Sequence, residues 1–164
     1  MARWSRRGFV TGAIAWAVLL PLTAFAASRP ASSSIPHLAA AIPYAIGSVI
    51  CHQQDRRSFH LWSRQLPVCA RCTGIYAGAA LVALSAALFR TAKAVRHNES
   101  ISEVAQGFSP ARTLWLAALP TLATLAYEWS TGTPPSNTIR ALAGVPLGAA
   151  VAAVILAATA DRVH

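Results

Sequence analysis

Long apolar stretches without charge alternate with short polar ones along this chain. Residues 8–27 carry no charged side chain and follow Arg3, Arg6 and Arg7, and their length is about that needed to cross a hydrocarbon core. Residues 73–89, 113–129 and 139–160 repeat the pattern, so the sequence predicts four transmembrane helices. A further apolar stretch, 35–50, is short and interrupted by Pro43 and Gly47. It suits a helix lying in, or dipping into, the interface. The predicted fold is all-α: a polytopic helical membrane protein of four transmembrane helices plus a short interfacial helix.

The polar stretches fill in the connections. Residues 27–34 are a linker of small residues, serine and proline. Residues 55–67 hold Arg56, Arg57 and Arg64 with the aromatic anchors Phe59 and Trp62, as expected of a surface loop or short helix at headgroup depth. Residues 90–112 are hydrophilic, and Ser100 to Glu103 has the spacing of a capping box that would open a helical turn. Thr131 to Asn137 reads as a tight turn, and Asp161, Arg162 and His164 belong in water. Ser5, Arg6, Arg7, Gly8, Phe9 and Val10 resemble a twin-arginine export signal, and Ala24, Phe25 and Ala26 resemble a cleavage site. An uncleaved anchor is the preferred reading because further spans follow. The chain then divides into a signal-anchor helix with its linker, 1–34, and a membrane domain, 35–164, that carries a Cys/His loop at 51–72.

Composition sharpens this picture. Of the 164 residues, 55% are hydrophobic and only 12% are charged, against about 25% charged in ordinary soluble domains. Five acidic residues cannot solubilise a compact surface, and a multi-pass protein of a cell membrane, with a bacterial inner membrane expected, is the better class. The formal net charge of +9 comes almost wholly from arginine. Those arginines sit at the borders of apolar runs, without interleaved aromatic platforms, so they meet the lipid bilayer and not nucleic acid.

Orientation is not decided by charge. With four spans the cytoplasmic side holds eight of the 14 basic residues, and with a fifth crossing at 35–50 it again holds eight. One consequence survives either topology. The second and third spans form a hairpin, so Cys69, Arg71, Cys72, Glu128, Asn137 and Arg140 share one membrane face, and Cys51 and His52 join them through the polar loop.

That face collects the candidate chemistry. All three cysteines lie between positions 51 and 72, in Cys51-His52-Gln53 and Cys69-Ala70-Arg71-Cys72. Three thiolates and an imidazole, Cys51, His52, Cys69 and Cys72, are a known tetrahedral set for a metal ion such as zinc. Adjacent Cys51 and His52 can reach one ion only in a turn. If His52 points away, His60 or a water takes the fourth place, and water would make the site catalytic. Arg56, Arg57 and Arg71 would favour thiolate.

The same residues read differently as a membrane thiol-disulfide oxidoreductase. Cys72 lies near the start of the second span, where helix amides lower a thiol pKa, so Cys69 and Cys72 could cycle with Cys51 resolving or idle. Small buried thiols that only pack are the plain alternative, as is a non-catalytic scaffold or accessory subunit. Glu128 and Arg140 are the candidate catalytic groups. Glu128 would act as general base or proton carrier, unless it simply forms a salt bridge with Arg140. Asn137 and Arg140 could bind a carboxylate or phosphate, or serve only turn formation and interfacial anchoring. Gly74 with Gly78 and Gly144 with Gly148 lay small residues on two helix faces, which would pack against neighbouring helices of this chain, a second copy or a membrane partner.

Residues Cys51, His52 and Gln53, then Arg57, Ser58 and Phe59, then Leu66, Pro67, Cys69, Ala70, Arg71, Cys72, Thr73, Gly74, Ile75 and Tyr76 resemble the core signature of a family of membrane proteins, domain of unknown function 2085. Asn137, Arg140 and Gly144 resemble its Asn-x-x-Arg-x-x-x-Gly element. The resemblance runs over about residues 45–155. Many relatives carry an Asp four residues after the proline of the third span. Here Thr124 follows Pro120 at that spacing, and Glu128 one turn later would stand in. The resemblance implies a shared site and a membrane location, without implying a reaction.

Overall fold

A computed structural model of the protein describes residues 2–29, 34–93 and 109–160. Within them the chain forms helix α1 (Ala2–Ala27), α2 (Ser34–Ile50), strands β1 (Ser58–Leu61) and β2 (Arg64–Cys69), then α3 (Ala70–Lys93), α4 (Pro110–Thr131) and α5 (Asn137–Ala160). The predicted capping box at Ser100 lies outside the described residues.

Three of these helices are long and apolar enough to cross a membrane: Trp4–Ala27, Ala70–Phe89 and Asn137–Thr159. The large apolar side chains point outward; Leu81, Leu88, Trp115, Leu119, Leu122 and Leu142 are all exposed. The buried positions are mostly small, among them Ala24, Ala70, Ala83, Ala143 and Ala152. This is the arrangement lipid solvent favours, because helices in hydrocarbon associate by close backbone packing and not by hiding apolar bulk. Helix α4 falls short of the other three in apolarity. Its 22 residues would reach about 33 Å, but Pro120, Thr121, Thr124, Tyr127 and Glu128 dilute them.

The glycines set the helix arrangement. A Cβ on Gly74 would lie 1.9 Å from the carbonyl oxygen of Ala141, and one on Gly78 would lie 2.2 Å from that of Val145. Reciprocally, a Cβ on Gly148 would lie 1.8 Å from the carbonyl oxygen of Ile75. Positions rise together on the two helices, so α3 and α5 run parallel with their backbones in contact. Within the chain each of these glycine faces is filled by the other helix. Helix α4 runs antiparallel to α5, since Thr121 Oγ1 donates to the Ala143 carbonyl at 2.8 Å while Glu128 lies beside Arg140. Helix α1 packs on α3 through an edge-on contact of Trp16 with Tyr76.

The mostly helical fold fits the all-α expectation, and the correction falls on the polar stretch at 55–67. In place of a loop or short helix, residues 55–69 form a 3-10 turn, Asp55–Arg57, and an antiparallel hairpin with Leu61 opposite Arg64 and Ser58 opposite Cys69. The two loop residues, Trp62 and Ser63, both have positive φ (51° and 61°), the geometry of a type I′ turn. Leu66, Pro67 and Val68 bury the hairpin, and Trp62 packs edge-on against Phe25 at the end of α1. Helix α2 closes against it: Tyr44 Oη donates to the Gln65 carbonyl, and a Cβ on Gly47 would lie 2.1 Å from the Pro67 carbonyl oxygen.

Candidate functional site

The hairpin is the device that assembles the site. Cys51 is the first residue after α2, its N–H donating to the Gly47 carbonyl at 2.8 Å. Gln53 then turns the chain with φ 43°, and its side-chain amide donates to the carbonyls of Tyr44 at 2.9 Å and Pro67 at 2.7 Å. Gln65 ties the other side, donating to the Gln53 carbonyl at 2.7 Å. Eighteen residues after Cys51 the chain has folded back so that the Cys69 N–H donates to Cys51 Sγ at 3.2 Å. The three sulfurs of Cys51, Cys69 and Cys72 all lie within 4.8 Å of one another, and none is in a disulfide.

Cys69 ends β2 and immediately precedes α3, with Cys72 three positions on, so its sulfur sits where a helix N-cap accepts from the backbone. The Cys69 thiol is lowered to about 5, chiefly by a hydrogen bond with the Cys72 side chain. Burial opposes this, and the Cys72 backbone, Cys51 side chain and Arg71 backbone add to it.

The imidazole of His52 is not within that sulfur group; it is exposed and lines the same cleft. His60 lies outside the cluster too, its Nε2 paired with Asp55 Oδ1 at 2.8 Å on the surface.

Behind the sulfurs sits one carboxylate among three guanidinium groups. Arg140 Nη2 donates to Glu128 Oε2 at 2.7 Å, Arg57 Nη2 pairs with Glu128 Oε1, and Arg71 Nη2 is 4.0 Å from Oε2. Arg71 Nη2 also donates to Thr124 Oγ1 at 3.2 Å. Thr124, at the position where the resemblance implies an acid, therefore faces the same arginine as Glu128 one turn on. Hairpin register explains Arg57: Ser58 pairs with Cys69, so the preceding arginine is carried back to the start of α3. Asn137 Nδ2 donates to the Ser58 carbonyl at 3.0 Å and pins α5 to the hairpin. The start of α5 is fixed by Ser136, whose Oγ accepts from the Ile139 N–H at 3.3 Å. The end of α4 is fixed by Gly132 in the left-handed region at φ 67°.

A cleft of about 380 Å³ is lined by Cys51, Cys69 and Cys72 together with Arg57, Arg71 and Arg140. Its wall also includes His52, Gln53 and Gln54, and no carboxylate among the described residues; Glu128 is paired with the arginines but does not line it. Sequence reasoning missed Gln53, Gln65 and Thr124 as positioning groups. Gln53 and Thr124 were both within the quoted signature or its spacing, so the signal was present, but their partners are set by a hairpin that the sequence does not announce.

The family described as "Predicted membrane protein (DUF2085)" matches residues 51–154, more than half of the chain, and the protein belongs to it. The matched region begins at Cys51 and takes in both the sulfur cluster and the arginine group. Two archaeal proteins share shorter stretches. "Uncharacterized protein MJ1492" of Methanocaldococcus jannaschii is 54% identical over 35 residues, 21% of this chain and 22% of that protein. An "Uncharacterized protein" of Methanothermobacter thermautotrophicus is 53% identical over 30 residues, 18% of this chain and 27% of that protein. The match thus spans about a quarter of each of these relatives. Both are archaeal, which gives the expected bacterial inner membrane no support, while membrane location stands. No solved structure matches this chain.

Proposed function

We propose that this membrane protein holds a metal ion of the zinc type through the thiolates of Cys51, Cys69 and Cys72, at the membrane surface. The observation that carries the reading is the mutual approach of three sulfurs within 4.8 Å. Zinc-bound thiolates at about 2.3 Å from the ion stand roughly 3.8 Å apart across a tetrahedral edge, so small side-chain shifts would close the set. A disulfide joins two of three sulfurs and leaves one without a purpose; a metal uses all three. The fourth position faces the cleft, where His52 or a water would complete it. Three thiolates with a divalent ion carry one net negative charge, which the neighbouring arginines offset. Glu128, held by Arg140 and Arg57, then orders the arginines.

Metal analysis of protein purified in detergent tests this. About one equivalent in the native chain, lost in Cys69→Ser, is expected. A native chain that holds no stoichiometric metal while all three thiols titrate freely would overturn it.

One observation favours a second reading. Cys69 at the head of α3, with its thiol lowered to about 5, has the character of a reactive cysteine, as in a thiol-disulfide oxidoreductase cycling Cys69 with Cys72. Alkylation before and after reduction separates the two, since cycling demands a reversible bond between those sulfurs.

Four crossings remain the preferred topology, with α4 as the third. Parallel α3 and α5 require the intervening chain to return across the bilayer, and α4, antiparallel to α5, has the length for it. Helix α2 begins shortly after α1 ends and finishes against the hairpin that α1 also touches, which supports an interfacial course. A cysteine-accessibility scan with a membrane-impermeant reagent at Ser109 and Thr133 tests this; labelling from the same side would refute it.

A further inference from the structure

The arginine group offers more positive charge than its one carboxylate can use. Arg57, Arg71 and Arg140 contribute +3 and Glu128 contributes −1, a surplus of +2 that falls to +1 where one of the neighbouring sulfurs is thiolate. Beside a metal held by three thiolates the surplus is still +1. Among the described residues the lining of the cleft includes no acid. Arg140 has a side chain only 3% exposed, and its Nε and that of Arg71 are buried without a hydrogen-bond partner among the described residues. A buried guanidinium normally commits all its donors, because an unmade hydrogen bond of a charged group is expensive.

We infer that the cleft is a binding site for a phosphate group, held by Arg57, Arg71 and Arg140 beside the three sulfurs. The arginines come from three separate elements, the 3-10 turn before the hairpin, the start of α3 and the start of α5, and so approach from different directions. One arginine fork serves a planar carboxylate; convergent forks suit a tetrahedral oxyanion. A cleft of about 380 Å³ fits a small ligand or a headgroup. Trp62 and Trp129, both exposed, sit on the elements that frame this end of the bundle, the depth at which indole rings meet lipid headgroups. The phosphate can therefore be that of a phospholipid or a soluble one, and the site does not depend on the metal being present.

The test uses the full chain purified in a phosphate-free maltoside detergent, with metal content measured on every sample. In one arm, radiolabelled inorganic phosphate is bound by equilibrium dialysis; in the other, phosphatidylglycerol and a phosphate-free glycolipid compete for retention in native mass spectrometry. Saturable binding of about one equivalent of either phosphate compound is expected. Arg71→Gln should weaken it at least about tenfold, and Arg71→Lys, which keeps the charge and loses the fork, by less. Glu128→Gln, which removes the competing carboxylate, should tighten it. Binding of inorganic phosphate identifies a soluble source, and retention of phosphatidylglycerol alone identifies a lipid one. Neither compound bound, variants that bind like the native chain, or displacement of phosphate by equimolar succinate would each overturn the inference. Phosphate binding without metal sinks the metal reading and leaves this one, and metal without phosphate does the reverse.

Discussion

Nη2 of Arg140 donates to Oε2 of Glu128 at 2.7 Å, with both side chains buried, and this contact joins the last turn of α4 to the first turn of α5. Arg57 reaches the other carboxylate oxygen from a side chain that is 43% exposed. The two pairs should therefore differ in worth. Removing one partner of a buried pair strands a charge, which costs about 3–5 kcal/mol when nothing else compensates. Here Arg57 and Arg71 remain, so Arg140→Gln should destabilise by about 2–3 kcal/mol. Arg57→Gln loses a partly screened contact and should cost about 1 kcal/mol or less. Thermal denaturation in detergent measures both, and equal losses would contradict the burial argument.

Gly47 carries the second expectation. Any side chain there meets the Pro67 carbonyl, because α2 lies directly on β2. Cys51 follows α2 and Cys69 ends β2, so separating those elements separates the sulfurs. Gly47→Ala should cost about 1–3 kcal/mol through overpacking. Cobalt affinity, read from the thiolate charge-transfer band, should fall about tenfold, as for other residues that position ligands. An unchanged band would mean that α2 does not set the position of Cys51.

That the start of α3, the end of α4 and the start of α5 lie together was legible from the alternation of apolar and polar stretches, since consecutive antiparallel helices leave those ends adjacent. The hairpin of strands was not. Trp62 and Ser63 occupy the two left-handed positions that usually announce themselves as Asn-Gly, and Pro67 inside β2 argues against a strand. A sheet of only two strands tolerates that proline, because every strand in it is an edge. Missing the hairpin meant missing why Arg57 reaches Glu128 from 71 positions away. The glycine faces were visible, but a sequence cannot say whether such a face meets its own chain or another. Helix α4 was read as a span from its length, and its polar residues prove to be those that face α3 and α5: Thr121, Thr124 and Glu128.

The Cys69 thiol sets a third expectation. Its pKa is lowered to about 5, so in metal-stripped protein it is thiolate at neutral pH. Thiolate is the nucleophile, so alkylation by iodoacetamide stays fast from pH 8 downward and falls as the pH drops through about 5. An ordinary thiol would lose its reactivity near pH 8.5. Cys51→Ala and Cys72→Ala should shift the fall upward, because both side chains hydrogen-bond to Cys69 and alanine removes the donor. A native profile that falls near pH 8 would show that the sulfurs do not interact as placed.

The glycine contacts between α3 and α5 make the last expectation, and it separates packing within the chain from packing between chains. A methyl group on Gly148 would meet the Ile75 backbone at 1.8 Å, whereas one on Gly8 meets nothing within 4 Å. Backbone cannot yield as a flexible side chain can, so Gly148→Ala should force the two helices apart and cost about 1–3 kcal/mol. Gly8→Ala should be neutral or stabilising by up to about 1 kcal/mol, because alanine restricts the unfolded chain and favours helix. Because α3 and α5 belong to one chain, Gly148→Ala should lower the thermal midpoint without changing the oligomeric state measured by sedimentation in detergent. It should also weaken the site, since Arg71 and Cys72 ride on α3 while Arg140 rides on α5. A variant that alters subunit number and leaves the midpoint unmoved would mean that these glycines face another molecule.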